Sequence, residues 1–82
     1  MELRDRAPTS ADLSDYDRAN LVLYLRILDA ESDGASWQEA AELLLGMDAE
    51  LEPERAWAAY QSHRQRARWL SREGYRQLLQ QG

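Results

Sequence analysis

The chain has no cysteine, no lysine, a single histidine and only two prolines in 82 residues. Without cysteine there is neither a disulfide nor a thiolate metal site, and the cytoplasm is the expected compartment. Nucleophilic catalysis needs a nucleophile beside a base. His63 alone, with no cysteine or lysine to join it, offers little material for that. It falls on the apolar face of its helix, where a hydrogen-bonded core histidine is expected. There is no glycine-rich phosphate loop and no cluster at metal-ligand spacing. The expectation is a protein that is not an enzyme, with no cofactor, no metal and no small-molecule substrate. No apolar run reaches the ~18 residues of a membrane span, and Met1-Glu2-Leu3-Arg4-Asp5-Arg6 has no signal-peptide apolar region. No membrane partner is expected.

What the chain does have is one dense apolar stretch. Seven of the eight residues Leu21-Val22-Leu23-Tyr24-Leu25-Arg26-Ile27-Leu28 are large and apolar or aromatic. On a helix they spread over roughly 200° of arc, wider than the ~100° stripe of a surface helix. Such a helix belongs between others, with Val22 and Arg26 at its uncovered margin as a secondary candidate for partner contact.

Local signals place the remaining elements. Residues 1–13 have no apolar period and read as a flexible lead-in to a single domain over 14–80. Ser14 and Asp17 form a capping box, so a first helix is expected from about Asp15 to Ala30 or Glu31. Asp29-Ala30-Glu31-Ser32-Asp33-Gly34 resembles the opening of a calcium loop. Ala40 stands where that loop needs its bidentate glutamate, so the segment is read as an acidic turn ended by Gly34. Ser36 and Glu39 form a second capping box for a helix that buries Trp37, Ala40, Ala41 and Leu44 and stops at Gly46. Met47 and Leu51 are expected to anchor the connection that follows. Pro53 suits the first turn of a third helix, running to about Leu70 with Ala56, Ala59, Tyr60, His63, Ala67 and Leu70 inward and Trp69 opposite. Ser71 is expected to cap a short last helix through about Gln80. No strand period is present. The fold class is all-α: three main helices and a short C-terminal one, containing a helix-turn-helix variant with an extended turn.

Charge divides the chain. Residues 1–54 hold four arginines against fourteen carboxylates, and residues 55–82 hold six arginines against Glu73 alone, so a formal charge of −5 conceals opposite halves. In a helix-turn-helix the N-terminal residues of the second helix meet the base edges. Here that end carries Glu50, Glu52 and Glu54, and the preceding helix adds Glu39 and Glu42. All five would face phosphates spaced at one charge per ~1.7 Å of duplex axis, so this surface disfavours DNA. The basic cluster Arg64, Arg66, Arg68 and Arg72 around Trp69 admits three readings. It is a protein-docking patch of hot-spot residue types, a set of cations favoured at a helix C-terminus, or a phosphate contact.

A resemblance adds to this reading of the chain, without carrying over individual contacts. The runs Tyr16-Asp17-Arg18, Leu25-Arg26-Ile27-Leu28-Asp29-Ala30, Leu45-Gly46-Met47-Asp48, Arg66-Ala67-Arg68-Trp69-Leu70 and Gly74-Tyr75-Arg76 with Leu78-Leu79 cover Leu13 to Leu79. Together they resemble the extended-turn helix-turn-helix domain of regulators carried by integrative and conjugative elements, formerly a domain of unknown function. Within it the acidic, stand-alone chains are QseM-like antiactivators. The resemblance implies a protein of horizontal gene transfer under quorum sensing. It would bind a transcriptional activator of the FseA type through that protein's N-terminal partner domain and block it without touching DNA. Leftover apolar area on the first helix and the Arg/Trp part of the third make Arg64, Arg68, Trp69 and Arg72, with Val22 and Arg26, the expected partner-binding residues. The alternative is a DNA-binding helix-turn-helix regulator using its third helix.

Overall fold

Serine caps and left-handed glycines set four of the helix ends in the computed structural model, which describes residues 3–81. Met1 and Glu2, part of the expected lead-in, lie outside the described residues. Helix α1 is Asp15–Ala19, closed by the expected capping box between Ser14 and Asp17. Helix α2 is Leu21–Ser32, so the single first helix expected from the sequence is in fact two. The break is at Asn20, with φ −118° and ψ 24°. Its side-chain amide donates to the Tyr16 carbonyl at 2.9 Å and its N–H to the Asp17 carbonyl at 3.1 Å. These bonds satisfy late α1 carbonyls off the helical path. The Asn20 carbonyl then accepts from the Tyr24 N–H at 3.0 Å and starts α2.

Helix α2 ends as its glycine implied. Gly34 adopts φ 83°, its N–H reaches the Glu31 carbonyl at 3.1 Å and the Ala35 N–H reaches the Ala30 carbonyl at 3.0 Å. This is the Schellman pattern of paired returns. Helix α3 is Trp37–Leu45, with Ser36 accepting from the Glu39 N–H. The return half of the expected box is replaced by a bond from the Ser36 hydroxyl to the Glu39 carboxylate at 3.3 Å. Gly46, at φ 66°, stops the helix. In the connection that follows, the Asp48 carboxylate accepts the N–H groups of Glu50 and Leu51 at 2.9 and 3.1 Å. Met47 and Ala49 are the buried anchors, and Leu51, expected to be one, stands in solvent.

Helix α4 is Pro53–Trp69 with proline in its first turn. Its expected inward face holds: Ala56, Ala59, Tyr60, His63, Ala67 and Leu70 are all buried. Beyond Trp69 the helix widens into a π-helical turn over Leu70–Gly74 and runs on as α5, Tyr75–Gln81. Ser71 is therefore no cap. Its hydroxyl donates back to the Arg68 carbonyl at 2.8 Å, leaving the helical path unbroken. Gly74 is required here by contact, since a Cβ on it would lie 2.7 Å from the Trp69 ring and 2.8 Å from Leu70 Cδ1.

Helices α2, α3 and α4 pack on one another around two apolar clusters. Ile27, Ala40, Ala41, Leu45, Met47, Ala49, Ala56, Ala59 and Tyr60 form the first, with Leu23, Trp37 and Leu44 against it. Leu13, Tyr24, Ala67 and Leu70 form the second, flanked by Leu21, Leu28, Trp69 and Leu78. The apolar stretch of α2 thus serves both clusters, Ile27 turning to one and Tyr24 to the other. Leu25 joins Val22 outside, 59% and 62% exposed. The architecture is all-α with no strand among the described residues.

The N-terminal segment is tied down rather than loose. Ala7 is buried and its N–H donates to Ser62 Oγ of α4 at 2.8 Å. Arg66 donates to the Ser10 and Asp12 carbonyls at 2.7 and 3.0 Å, and Gln77 of α5 donates to the Ala11 carbonyl at 3.0 Å. A domain boundary drawn at residue 14 cuts through these contacts. Sequence periodicity could not register them, because they are backbone groups of an irregular segment met by distant side chains.

Candidate nucleic-acid interface

A helix turns by about 100° per residue, so positions four apart share a face and positions two apart oppose. Arginines at 64, 66 and 68 of α4 therefore cannot act as one patch. Arg66 turns inward, where its side chain is 4% exposed. Its Nε and Nη2 donate to the two oxygens of Asp17 at 3.0 and 2.7 Å, a bidentate grip. Asp17 also accepts the Tyr24 hydroxyl at 2.7 Å, the Ser14 N–H at 2.9 Å and the Ser14 hydroxyl at 3.0 Å. Burial works to raise the Asp17 carboxyl. The bonds from Arg66, Ser14 and Tyr24 outweigh it and bring the group down from 3.8 to about 2. The Arg66 guanidinium also lies 3.7 Å from the Trp69 ring centroid. These groups hold α1, α2, α4 and the N-terminal segment together and are a structural network.

His63 lies beside it, fully buried as expected. Its Nδ1–H donates to the Ala59 carbonyl at 2.8 Å, which leaves Nε2 to accept the Tyr16 hydroxyl at 2.6 Å. Burial holds this imidazole below its ordinary range, in the neutral form those two bonds require.

Arg64 and Arg68 face outward and meet at one carboxylate on α2. Arg64 Nη1 donates to Glu31 Oε2 at 3.1 Å and Arg68 Nη2 to Glu31 Oε1 at 2.6 Å. The bond from Arg68, followed by that from Arg64, holds the Glu31 carboxyl below its ordinary range. Gln65 and Arg68 are exposed and Ala58 and Gln61 half-buried, a continuous outer stripe at spacings of three and four. Arg72 extends it, exposed, within the π-helical turn.

The other residues singled out from the sequence lie elsewhere. Trp69, expected on an open docking face, is half-buried among Pro8, Thr9, Ser62, Gln65 and Arg66. Arg26 borders a depression of about 280 Å³ between α2 and α3, with Asp29, Asp33, Glu39 and Leu43. Val22 is exposed on α2. Arg64, Arg68, Trp69, Arg72, Val22 and Arg26 do not form one surface. The five carboxylates are all exposed but also scattered. Glu42 and Glu50 rim a shallow hollow with Gly46, Met47 and Asp48. Glu52 pairs with Arg55 at 3.2 Å, and Glu54 stands alone on the first turn of α4. Glu31, the residue that joins the outward arginines, was not singled out. Its only signal was an acidic position on a helix that has to pack against α4. No group of three or more His, Cys, Asp or Glu side chains that could hold a metal is found among the described residues, and no described helix is long and apolar enough to cross a membrane.

The chain matches, over residues 1–80, the model of the RovC DNA-binding family, described as T6SS, transcription factor, DNA-binding domain. It belongs to that family. None of the curated proteins matches it. Membership of a family of DNA-binding domains overturns the expectation of an antiactivator that does not itself bind DNA. It gives no support to a QseM-like identity, conjugative elements or quorum sensing, and it does not bear on the FseA-type partner. The alternative, a DNA-binding regulator, is the reading that membership favours. The physical source of the error is the end of α4 that was weighed. Its N-terminal turn is acidic and its one arginine, Arg55, is held by Asp5 and Glu52, whereas the exposed Arg68 and Arg72 lie further along.

Proposed function

We propose that this chain is the duplex-contacting domain of a transcription regulator, and that the C-terminal half of α4 with the π-helical turn lies along the DNA. The observation that carries the reading is charge segregation in one element. No carboxylate lies between Arg55 and Arg72, and with Arg66 sealed on Asp17 the arginines left toward the outer face of the C-terminal half are Arg64, Arg68 and Arg72, within a chain of formal charge −5. Glu50, Glu52 and Glu54 sit at the far end, so repulsion from phosphate orients the helix and does not merely oppose binding. Arg68 and Arg72 are placed for phosphate. Gln65, exposed between them and the acidic end, carries the amide donor and acceptor that pair with an adenine edge in the major groove. The domain is read as non-catalytic, since its one histidine is sealed with both ring nitrogens engaged.

The test is titration of a labelled duplex at several salt concentrations, followed by anisotropy. Arg68→Ala combined with Arg72→Ala is expected to weaken binding by about tenfold or more and to reduce the salt slope by about 2, with helix content unchanged. Loss on Arg55→Ala instead would move the interface to the other end of α4. No binding by the unaltered protein even at low salt would overturn the proposal.

A further inference from the structure

Glu31 is an unfavourable place for a carboxylate. It lies in the last turn of α2, which contains no basic residue, and Asp29 and Asp33 flank it. A helix C-terminus already carries partial negative charge. What holds Glu31 there is two arginines from another helix, 33 and 37 residues away in sequence. Each guanidinium takes one carboxylate oxygen, so the pair encloses a single anionic centre carrying two acceptor oxygens. A phosphodiester presents the same pattern, one negative charge shared by two non-bridging oxygens. Arg64 is also braced independently of Glu31, its guanidinium carbon lying 5.9 Å from the Tyr60 ring centroid. Its Nε is buried and has no partner, a donor left unspent by the carboxylate. The Glu31 side chain is 30% exposed and has water to turn into.

We propose that Arg64 and Arg68 form a two-pronged phosphate grip, that Glu31 occupies it in the unbound protein, and that a DNA phosphate displaces Glu31 to bind there. This inference rests on the DNA-binding reading above. Glu31 then acts as an internal competitor that holds the affinity down. It also stays near the grip in the complex, where it repels the bound phosphate.

The experiment compares the full chain with Glu31→Gln, and with Glu42→Gln as a control that removes an equal charge from an exposed site away from the grip. Duplex affinity is measured by anisotropy across a salt series, with circular dichroism confirming the fold. Glu31→Gln is expected to tighten binding about fivefold, the scale of releasing two partly exposed ion pairs. It is also expected to steepen the salt slope by up to about 1. Glu42→Gln should change affinity less than about twofold. Adding Arg64→Ala and Arg68→Ala to Glu31→Gln should abolish the gain. If the unaltered protein binds duplex and Glu31→Gln binds equally or more weakly, Glu31 positions the arginines and does not mask them, and the inference is overturned. An equal gain from Glu42→Gln overturns it as well, by showing a general charge effect. Absence of duplex binding by every protein overturns the DNA-binding reading itself, a result distinct from either of those.

Discussion

Arg66 and Arg68 stand two residues apart on the same helix, and each meets a carboxylate of an earlier helix at 2.6–2.7 Å. Everything else about the two pairs differs. The Asp17–Arg66 pair has side chains 0% and 4% exposed, bidentate geometry and further donors on the carboxylate. Glu31 and Arg68 are 30% and 47% exposed, with one bond between them. Buried charge must be matched group for group, because removing one partner strands the other in a medium that solvates it poorly. Exposed charge is already matched by water, so its pairing is cheap to break and open to exchange. The inner pair therefore secures the fold, and the outer arginines remain available to a ligand.

The contrast is broken most sharply by Arg66→Ala. That change strands Asp17 and releases the Ser10 and Asp12 carbonyls, and a loss of about 3–5 kcal/mol is expected by urea denaturation. A domain of this size has little more than that in reserve, so the variant should be largely unfolded at 37 °C. Arg68→Ala should cost no more than about 1 kcal/mol. Equal costs for the two would show that burial does not distinguish them.

Acid should separate the pairs in the same way. Folded Asp17 releases its proton near 2, against 3.8 in the unfolded chain. Its contribution is thus complete above about 4 and lost as pH falls toward 2, amounting to about 2 kcal/mol. His63 adds a loss with the same sign. Burial lowers its folded value, so below about 6.5 the unfolded chain takes up a proton that the folded state resists. Stability measured by denaturant from pH 7 to pH 3 should fall first with His63 and then with the carboxylates held low by arginines, Asp17 contributing most and the exposed Glu31 and Asp5 less. A flat profile across that range would contradict the buried network.

A smaller effect sharpens the comparison. Tyr24→Phe deletes one donor to Asp17 and leaves the Arg66 grip intact. It should cost about 1 kcal/mol and move the acid step to higher pH, with no change in duplex affinity. A change in affinity would mean that the inner network sets the outer surface.

Much of the fold was legible because its determinants are local. Ser14 with Asp17, Gly34, Gly46 and Pro53 each end or begin a helix through groups within a few residues. The inward face of α4 follows from spacing alone. The same spacing also placed Arg66 on that face, at 59, 63, 66 and 70, and grouping it with Arg64 and Arg68 went against the periodicity already in hand. The Asn20 break was less accessible, because an asparagine inside an apolar run looks helical until its amide is seen to take the Tyr16 carbonyl. For function, reading the acidic start of α4 as the groove-facing end led away from DNA, whereas the carboxylate-free stretch from Arg55 to Arg72 was visible in the same sequence and pointed toward it.

The sequence by itself determined the helix ends at Ser14, Gly34, Ser36, Gly46 and Pro53 and the polarity of α4, since these depend on neighbours a few residues apart. Tertiary structure alone decided three things: that the N-terminal segment is fastened to α4, that α4 runs through a wide turn into α5, and that Glu31 stands between Arg64 and Arg68. The first and third of these join groups 33 to 56 residues apart. Only the packing of α2 against α4, which brings a carboxylate and two guanidinium groups to one point, could select Glu31 for Arg64 and Arg68 from the many opposite charges the chain contains.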